Sequence, residues 1–96
     1  MKKKFKKYTY WNETIAKNIA KNESIDMTKD HWEVIYAMRD FYFKFNLTPS
    51  IIMLIKFLKK RGLKKINTCY LFKLFPVGPV KQASKIAGIP KPSSCL

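Results

Sequence analysis

The stretch Thr28-Lys29-Asp30-His31-Trp32-Glu33-Val34-Ile35-Tyr36-Ala37-Met38-Arg39-Asp40-Phe41-Tyr42-Phe43-Lys44-Phe45-Asn46 decides the fold. Thr28 is a good N-cap, and Asp30 in the first turn suits the positive end of a helix dipole. Trp32, Ile35, Tyr36, Tyr42 and Phe45 follow at helical spacing and are expected to point inward until the helix ends near Asn46. This is the longest and most aromatic segment of the chain, so it is expected at the centre of the core.

Four shorter helices are expected around it. Upstream, Glu13 to about Asn22 carries Ile15, Ala16, Ile19 and Ala20 on one face, with Asn12 as N-cap. Downstream, Thr48-Pro49 reads as a cap followed by proline at the first helical position, where its missing N–H costs nothing. Ile51, Ile52, Leu54, Ile55 and Leu58 make that helix apolar nearly all round, and Gly62 ends it. A fourth helix covers about Asn67 to Phe75, closed by Pro76. A fifth opens at Pro79 and closes at Gly88, with Val80, Ala83, Ile86 and Ala87 facing in. No segment reads as a strand, so the expected fold is all-α.

The chain has 96 residues, 47% of them hydrophobic and 15% aromatic, enough for one modest core and too few for two. The single domain is expected over residues 1–96, with a basic lead at 1–10 and a mobile arm at 89–96. Twenty Lys and Arg against six Asp and Glu give a formal net charge of +14. Such a surplus permits contact with RNA, DNA or an acidic protein face. Yet only Arg39 and Arg61 are arginines, and the preponderance of Lys, Asn and Ile fits coding bias better than a phosphate-reading surface. No stretch approaches the ~20 apolar residues of a membrane span, and no apolar segment follows the lysine-rich start as a signal peptide requires. A cytoplasmic location is expected, where two cysteines are not a disulfide framework.

The two cysteines read differently. Cys69 sits at a helix start among Asn67, Thr68, Tyr70 and Leu71, and is expected to be a partly buried small hydrophobe; the alternative is a resolving thiol for Cys95. Cys95 is penultimate, on the tail Ile89-Pro90-Lys91-Pro92-Ser93-Ser94-Cys95-Leu96, whose prolines cannot continue a helix. Position alone leaves it either a working thiol or an incidental terminal cysteine. An arm from Gly88 to Cys95 in polyproline geometry would span about 20–25 Å at ~3.1 Å per residue, long enough to enter a pocket. Lys85 and Lys91 favour its thiolate, and the terminal carboxylate of Leu96 opposes them. There is no Cys/His cluster, Gly-rich phosphate loop or paired-carboxylate site, so neither cofactor nor metal is expected. The lone His31 reads as structural.

Three runs carry a resemblance. His31-Trp32-Glu33-Val34 with Arg39-Asp40-Phe41-Tyr42, then Tyr70-Leu71-Phe72-Lys73-Leu74-Phe75-Pro76 with Gly78-Pro79, then Lys81-Gln82-Ala83-Ser84-Lys85-Ile86-Ala87-Gly88-Ile89-Pro90-Lys91-Pro92 with Cys95 penultimate, resemble the TusE/DsrC family. The resemblance covers about Trp11 to Leu96. It implies a compact orthogonal helical bundle with helix-turn-helix-like packing, a flexible C-terminal arm, and a persulfide on Cys95. It further implies a sulfurtransferase that accepts sulfur from the TusD subunit of a TusBCD complex and gives it to the tRNA thiouridylase MnmA for wobble-uridine 2-thiolation. Contact with tRNA would be at most non-specific, and no membrane is involved.

In DsrC proteins a second cysteine lies eleven positions before the last. Ser84 stands there, and its hydroxyl can form neither disulfide nor trisulfide, which points to the TusE branch. The family's N-terminal segment with a β-hairpin is reduced here to a short lysine-rich lead, or else the true start lies upstream. The family's usual arginine is replaced by Ile52. The competing readings are a basic helix-turn-helix module that binds nucleic acid, against which no helix shows an Arg/Asn base-reading face, and a DsrC-type redox partner of sulfite reductase.

Overall fold

The computed structural model describes residues 11–91, and within them the chain is all-α, with no strand. Five helices run in order: α1 (Glu13–Asn22), α2 (Lys29–Phe45), α3 (Ile51–Lys60), α4 (Thr68–Leu74) and α5 (Pro79–Ala87). The expected lead at 1–10, with the missing hairpin, falls outside the described residues.

Local chemistry starts four of these helices. The side chains of Asn12, Thr28, Ser50 and Asn67 accept hydrogen bonds from the backbone N–H groups of Ile15, His31, Met53 and Tyr70. Asn46 closes α2 in the left-handed conformation, and Gly88 does the same for α5. α3 departs from expectation. Its cap is Ser50, not Thr48, and Pro49 lies before the cap instead of inside the first turn. Thr48 is buried with its hydroxyl donated elsewhere, so the next available hydroxyl starts the helix.

α2 packs on α5 and α3, α1 packs on α5, and α4 closes against α5. The buried face of α2 is Val34, Ile35, Ala37, Met38, Phe41 and Tyr42. Phe45 and Tyr36, expected inward, are exposed, because the inward stripe follows 34-38-41-42 around the helix and both residues fall at its edges. Ile15 and Ile52 are exposed for the same reason, and α3, expected to be apolar nearly all round, buries Leu54 and Leu58 while Lys56, Lys59 and Lys60 face solvent. Val80, Ala83, Ile86 and Ala87 are buried as read from the spacing. Small alanines at 16, 20, 37, 83 and 87 let α1, α2 and α5 approach closely around Leu54, Leu58, Leu71 and Phe75.

Candidate functional site: the root of the C-terminal tail

Cys95 lies outside the described residues. The site is therefore built from the point where the chain leaves the helical body, at the end of α5. A helix leaves its last four carbonyls without internal partners, and a terminus packed against other elements must find partners for them. Here each has one. The Ile89 N–H donates to Ser84 O at 3.1 Å and the Gly88 N–H to Lys85 O at 3.3 Å. The Trp11 indole N–H donates to Ile86 O at 2.8 Å, and the Arg39 guanidinium to Ala87 O at 2.7 Å. One residue further on, the Thr48 hydroxyl donates to Pro90 O at 2.7 Å.

The donors come from three separate parts of the chain and are themselves held. The Arg39 guanidinium lies 4.2 Å from the Trp11 ring centre and 5.0 Å from that of Phe43. Trp11 meets Tyr36 edge-on, and Tyr36 stacks on Trp32. The Tyr36 hydroxyl donates to Glu13, and that carboxylate acceptor raises the phenol above its ordinary value. Burial pulls Arg39 below the usual arginine value, with Asp40 and Tyr36 acting in the opposite sense. A cation at a helix C-terminus also offsets the dipole.

Gly88 is indispensable to this arrangement. Its φ is +71°, and a Cβ there would sit 2.7 Å from Trp11 Cδ1. The glycine turns the chain and lets the indole lie flush against it. Ile89 follows, only 5% exposed, and plugs the core below.

Within the expected arm over 89–96, Ile89 is buried and Pro90 is half-buried with its carbonyl bonded to Thr48, while 92–96 lie outside the described residues. Lys91 is the first exposed residue after Pro90, and Cys95 is four residues further along. Four residues reach at most about 14 Å from Lys91 whatever their conformation, and five reach about 18 Å from Pro90, the last residue held.

Cys69 is exposed, not partly buried. Leu71 and Phe75 are the buried positions here, and a residue two before Leu71 points to the other side of the helix. The alternative role of Cys69 as a resolving thiol involves Cys95, which lies outside the described residues. Ser84 is wholly buried beneath the tail root, donating its hydroxyl to Lys81 O at 3.1 Å. His31 is structural, as read. It is buried, its Nδ1 accepts from the Thr28 N–H at 3.1 Å, and its Nε2–H donates to Leu74 O at 2.8 Å. Asn67, between α3 and α4, caps α4, its Oδ1 accepting from the Tyr70 N–H at 2.8 Å. Sequence reasoning did not single out Arg39, although a lone cation set between aromatics at Tyr36 and Phe43, three and four residues away, was the available signal.

The model of the family described as DsrC like protein matches residues 2–96. The chain is 64% identical over 92 residues to Sulfurtransferase TusE of Buchnera aphidicola from Schizaphis graminum, covering 95% of this chain and 81% of that protein. It is 55% identical over 87 residues to the Sulfurtransferase TusE homolog of Haemophilus influenzae, covering 90% and 80%. Among solved structures it is similar to Allochromatium vinosum DsrC, at a TM-score of 0.82 and 38% identity, covering 92% of this chain and 80% of that one. The oxidized gamma-subunit of the dissimilatory sulfite reductase (DsrC) from Archaeoglobus fulgidus matches at 0.80 and 38%, covering 93% and 82%.

Proposed function

Because the chain belongs to the TusE/DsrC family, in its TusE branch, we propose that it carries sulfur as a persulfide on Cys95. Its activity is that of a sulfurtransferase. The Cys95 thiolate attacks the outer sulfur of a donor persulfide. A new S–S bond forms on Cys95, the donor's S–S bond breaks, and the electron pair leaves on the donor's cysteine sulfur. The exchange is redox-neutral and needs no cofactor. An acceptor cysteine then repeats the step on the loaded protein. The donor in this reading is the TusD subunit of a TusBCD complex and the acceptor is MnmA, which activates and thiolates the wobble uridine. The setting is the cytoplasm, where the thiol stays reduced; among the described residues no helix is long and apolar enough to cross a membrane.

The observation that carries the reading is the tail root held at Pro90, five residues before Cys95, in a chain so similar to sulfurtransferases. A carrier thiol must enter two active sites in turn, and a short lead from a rigid base limits the entropy lost at each docking. The buried serine at 84 supports the one-thiol scheme over the two-cysteine chemistry of a sulfite-reductase partner. Mass spectrometry after incubation with a cysteine desulfurase and the relay donor tests it. One added sulfur on Cys95 is expected, with none on the Cys95→Ser protein and no loss of its helical circular-dichroism signal. Undiminished loading of Cys95→Ser would overturn the assignment.

A further inference from the structure

We propose that the exposed apolar surface made by Phe43, in the last turn of α2, and Leu47, just past its cap Asn46, is where the protein sulfur donor of the relay docks. The inference rests on the thiol reading of Cys95 and adds where a partner must sit. A partner's reacting sulfur has to meet Cys95 within about 14 Å of Lys91, since four residues reach no further. A cysteine recessed in a partner's active site can come that close only if the partner's rim covers the tail root.

The side chains around that root are fixed by the contacts above. Phe43 holds the Arg39 guanidinium that caps Ala87 O, and Leu47 directly precedes Thr48, which caps Pro90 O. Both are large apolar residues left 42% and 45% exposed. Lys44 and Lys91 are exposed beside them, and no aspartate or glutamate follows Asp40 anywhere in the chain. The partner face that fits has an apolar centre, an acidic rim and a recessed cysteine. A different pair of exposed apolar side chains, Phe72 and Val77, provides a contrast. Val77 lies beyond the other end of α5, about 15 Å from Gly88 by helical rise, so a partner seated over the root does not need it.

The experiment compares Phe43→Ser, Leu47→Ser and Val77→Ser with the native protein in two assays. In the first, inorganic polysulfide loads Cys95 directly, which requires no docking. In the second, a desulfurase-charged TusBCD complex supplies the sulfur and loading is followed by mass spectrometry over time. Polysulfide loading should be unchanged throughout. Transfer from the protein donor should fall tenfold or more for Phe43→Ser and Leu47→Ser, through a raised KM for the carrier, and stay native for Val77→Ser. Phe43→Leu should restore transfer, which separates lost apolar surface from disturbed packing. Native rates for both serine variants, an equal loss in Val77→Ser, or a parallel loss of polysulfide loading would each overturn the docking surface. Failure of the Cys95 reading is distinct, since it would appear as donor-dependent loading of Cys95→Ser.

Discussion

The two ends of α5 are built by opposite means. At its start, Gly78 and Pro79 supply the turn and first residue, and the Gln82 side chain accepts from the Val77 N–H at 3.1 Å, all within a few residues. At its finish, three carbonyls from Ile86 to Pro90 are capped by Trp11, Arg39 and Thr48, the nearest of them 42 residues away in sequence. The turn at the start is closed by neighbouring groups, and the Gln82 amide nitrogen also reaches Glu23 at the end of α1. The finish exists only once α2 and the residue before α1 have packed, so the direction in which the tail leaves is a property of the whole fold. The proposed carriage of sulfur on Cys95 gains from the second arrangement, since the launch point cannot drift without unpacking the core.

Breaking the finish should cost most. Gly88→Ala puts a Cβ into the Trp11 ring and holds alanine at φ +71°. The left-handed strain is roughly 1–2 kcal/mol and displacement of the indole adds to it, so about 3 kcal/mol of destabilisation is expected. With a urea m-value of about 1 kcal/mol/M for a domain of this size, the denaturation midpoint should fall by some ~3 M. A midpoint within ~0.5 M of native would mean that Trp11 does not cap α5 in solution.

His31→Ala sharpens the contrast from the other side, where α4 delivers the chain to the start of α5. It removes the partner of Leu74 O, the acceptor for the Thr28 N–H and an edge contact with Phe75. About 2 kcal/mol should be lost, yet sulfur loading should be retained once the protein is folded, because the tail root is untouched. Arg39→Lys is subtler. It keeps the charge but not the planar fork that bonds Ala87 O while lying against two rings. Stability should drop by only about 1 kcal/mol. The Ile89 amide, which donates to Ser84 O, should nevertheless exchange its hydrogen markedly faster, while amides in the first turns of α5 do not. Uniform acceleration along α5 would show that Arg39 stabilises the helix as a whole and does not fix its end.

The same contrast explains what could be read from the chain in advance. Asn12 and Thr28 were legible as caps, and Pro79 and Gly88 as the bounds of α5, because each acts on its immediate neighbours. Thr48 looked like one more cap, but its hydroxyl serves Pro90, and no local pattern separates those two uses. Cys69 and Phe45 were misplaced because an apolar residue near a helix end is assigned to the core only if its phase is known, and phase is set by what packs opposite. His31 was read correctly as structural while its capping role was not seen, since that third helical position usually holds Glu or Gln. The tail motif was legible as a motif. That its first two residues are fixed depends on contacts spanning half the chain, which no spacing rule reports.

The smallest effect expected lies along the side of α5 that faces α1, from Gln82 to Lys85 in its last turn. Glu23, the C-cap residue of α1, accepts from Lys85 at 2.9 Å and from the Gln82 amide at 3.1 Å, tying α1 to α5. The hydrogen bonds from Lys85 and then Gln82 lower its carboxyl below the ordinary value of 4.5, with burial acting weakly against them. A group whose folded-state value is depressed contributes stability that is fully present above its unfolded value and is lost as the pH falls through the folded one. The tie should therefore be intact at neutral pH and weaken only in acid, below about 4.5. Because the Lys85 ammonium is largely exposed, water and salt screen the pair, and Lys85→Gln should cost no more than a few tenths of a kcal/mol. That loss should shrink further when the ionic strength is raised from about 0.05 to 0.5 M, where the Debye length falls well below 10 Å. A loss above roughly 1 kcal/mol that persists in high salt would contradict the exposed-pair reading and place Lys85 among the groups that hold α5 in position.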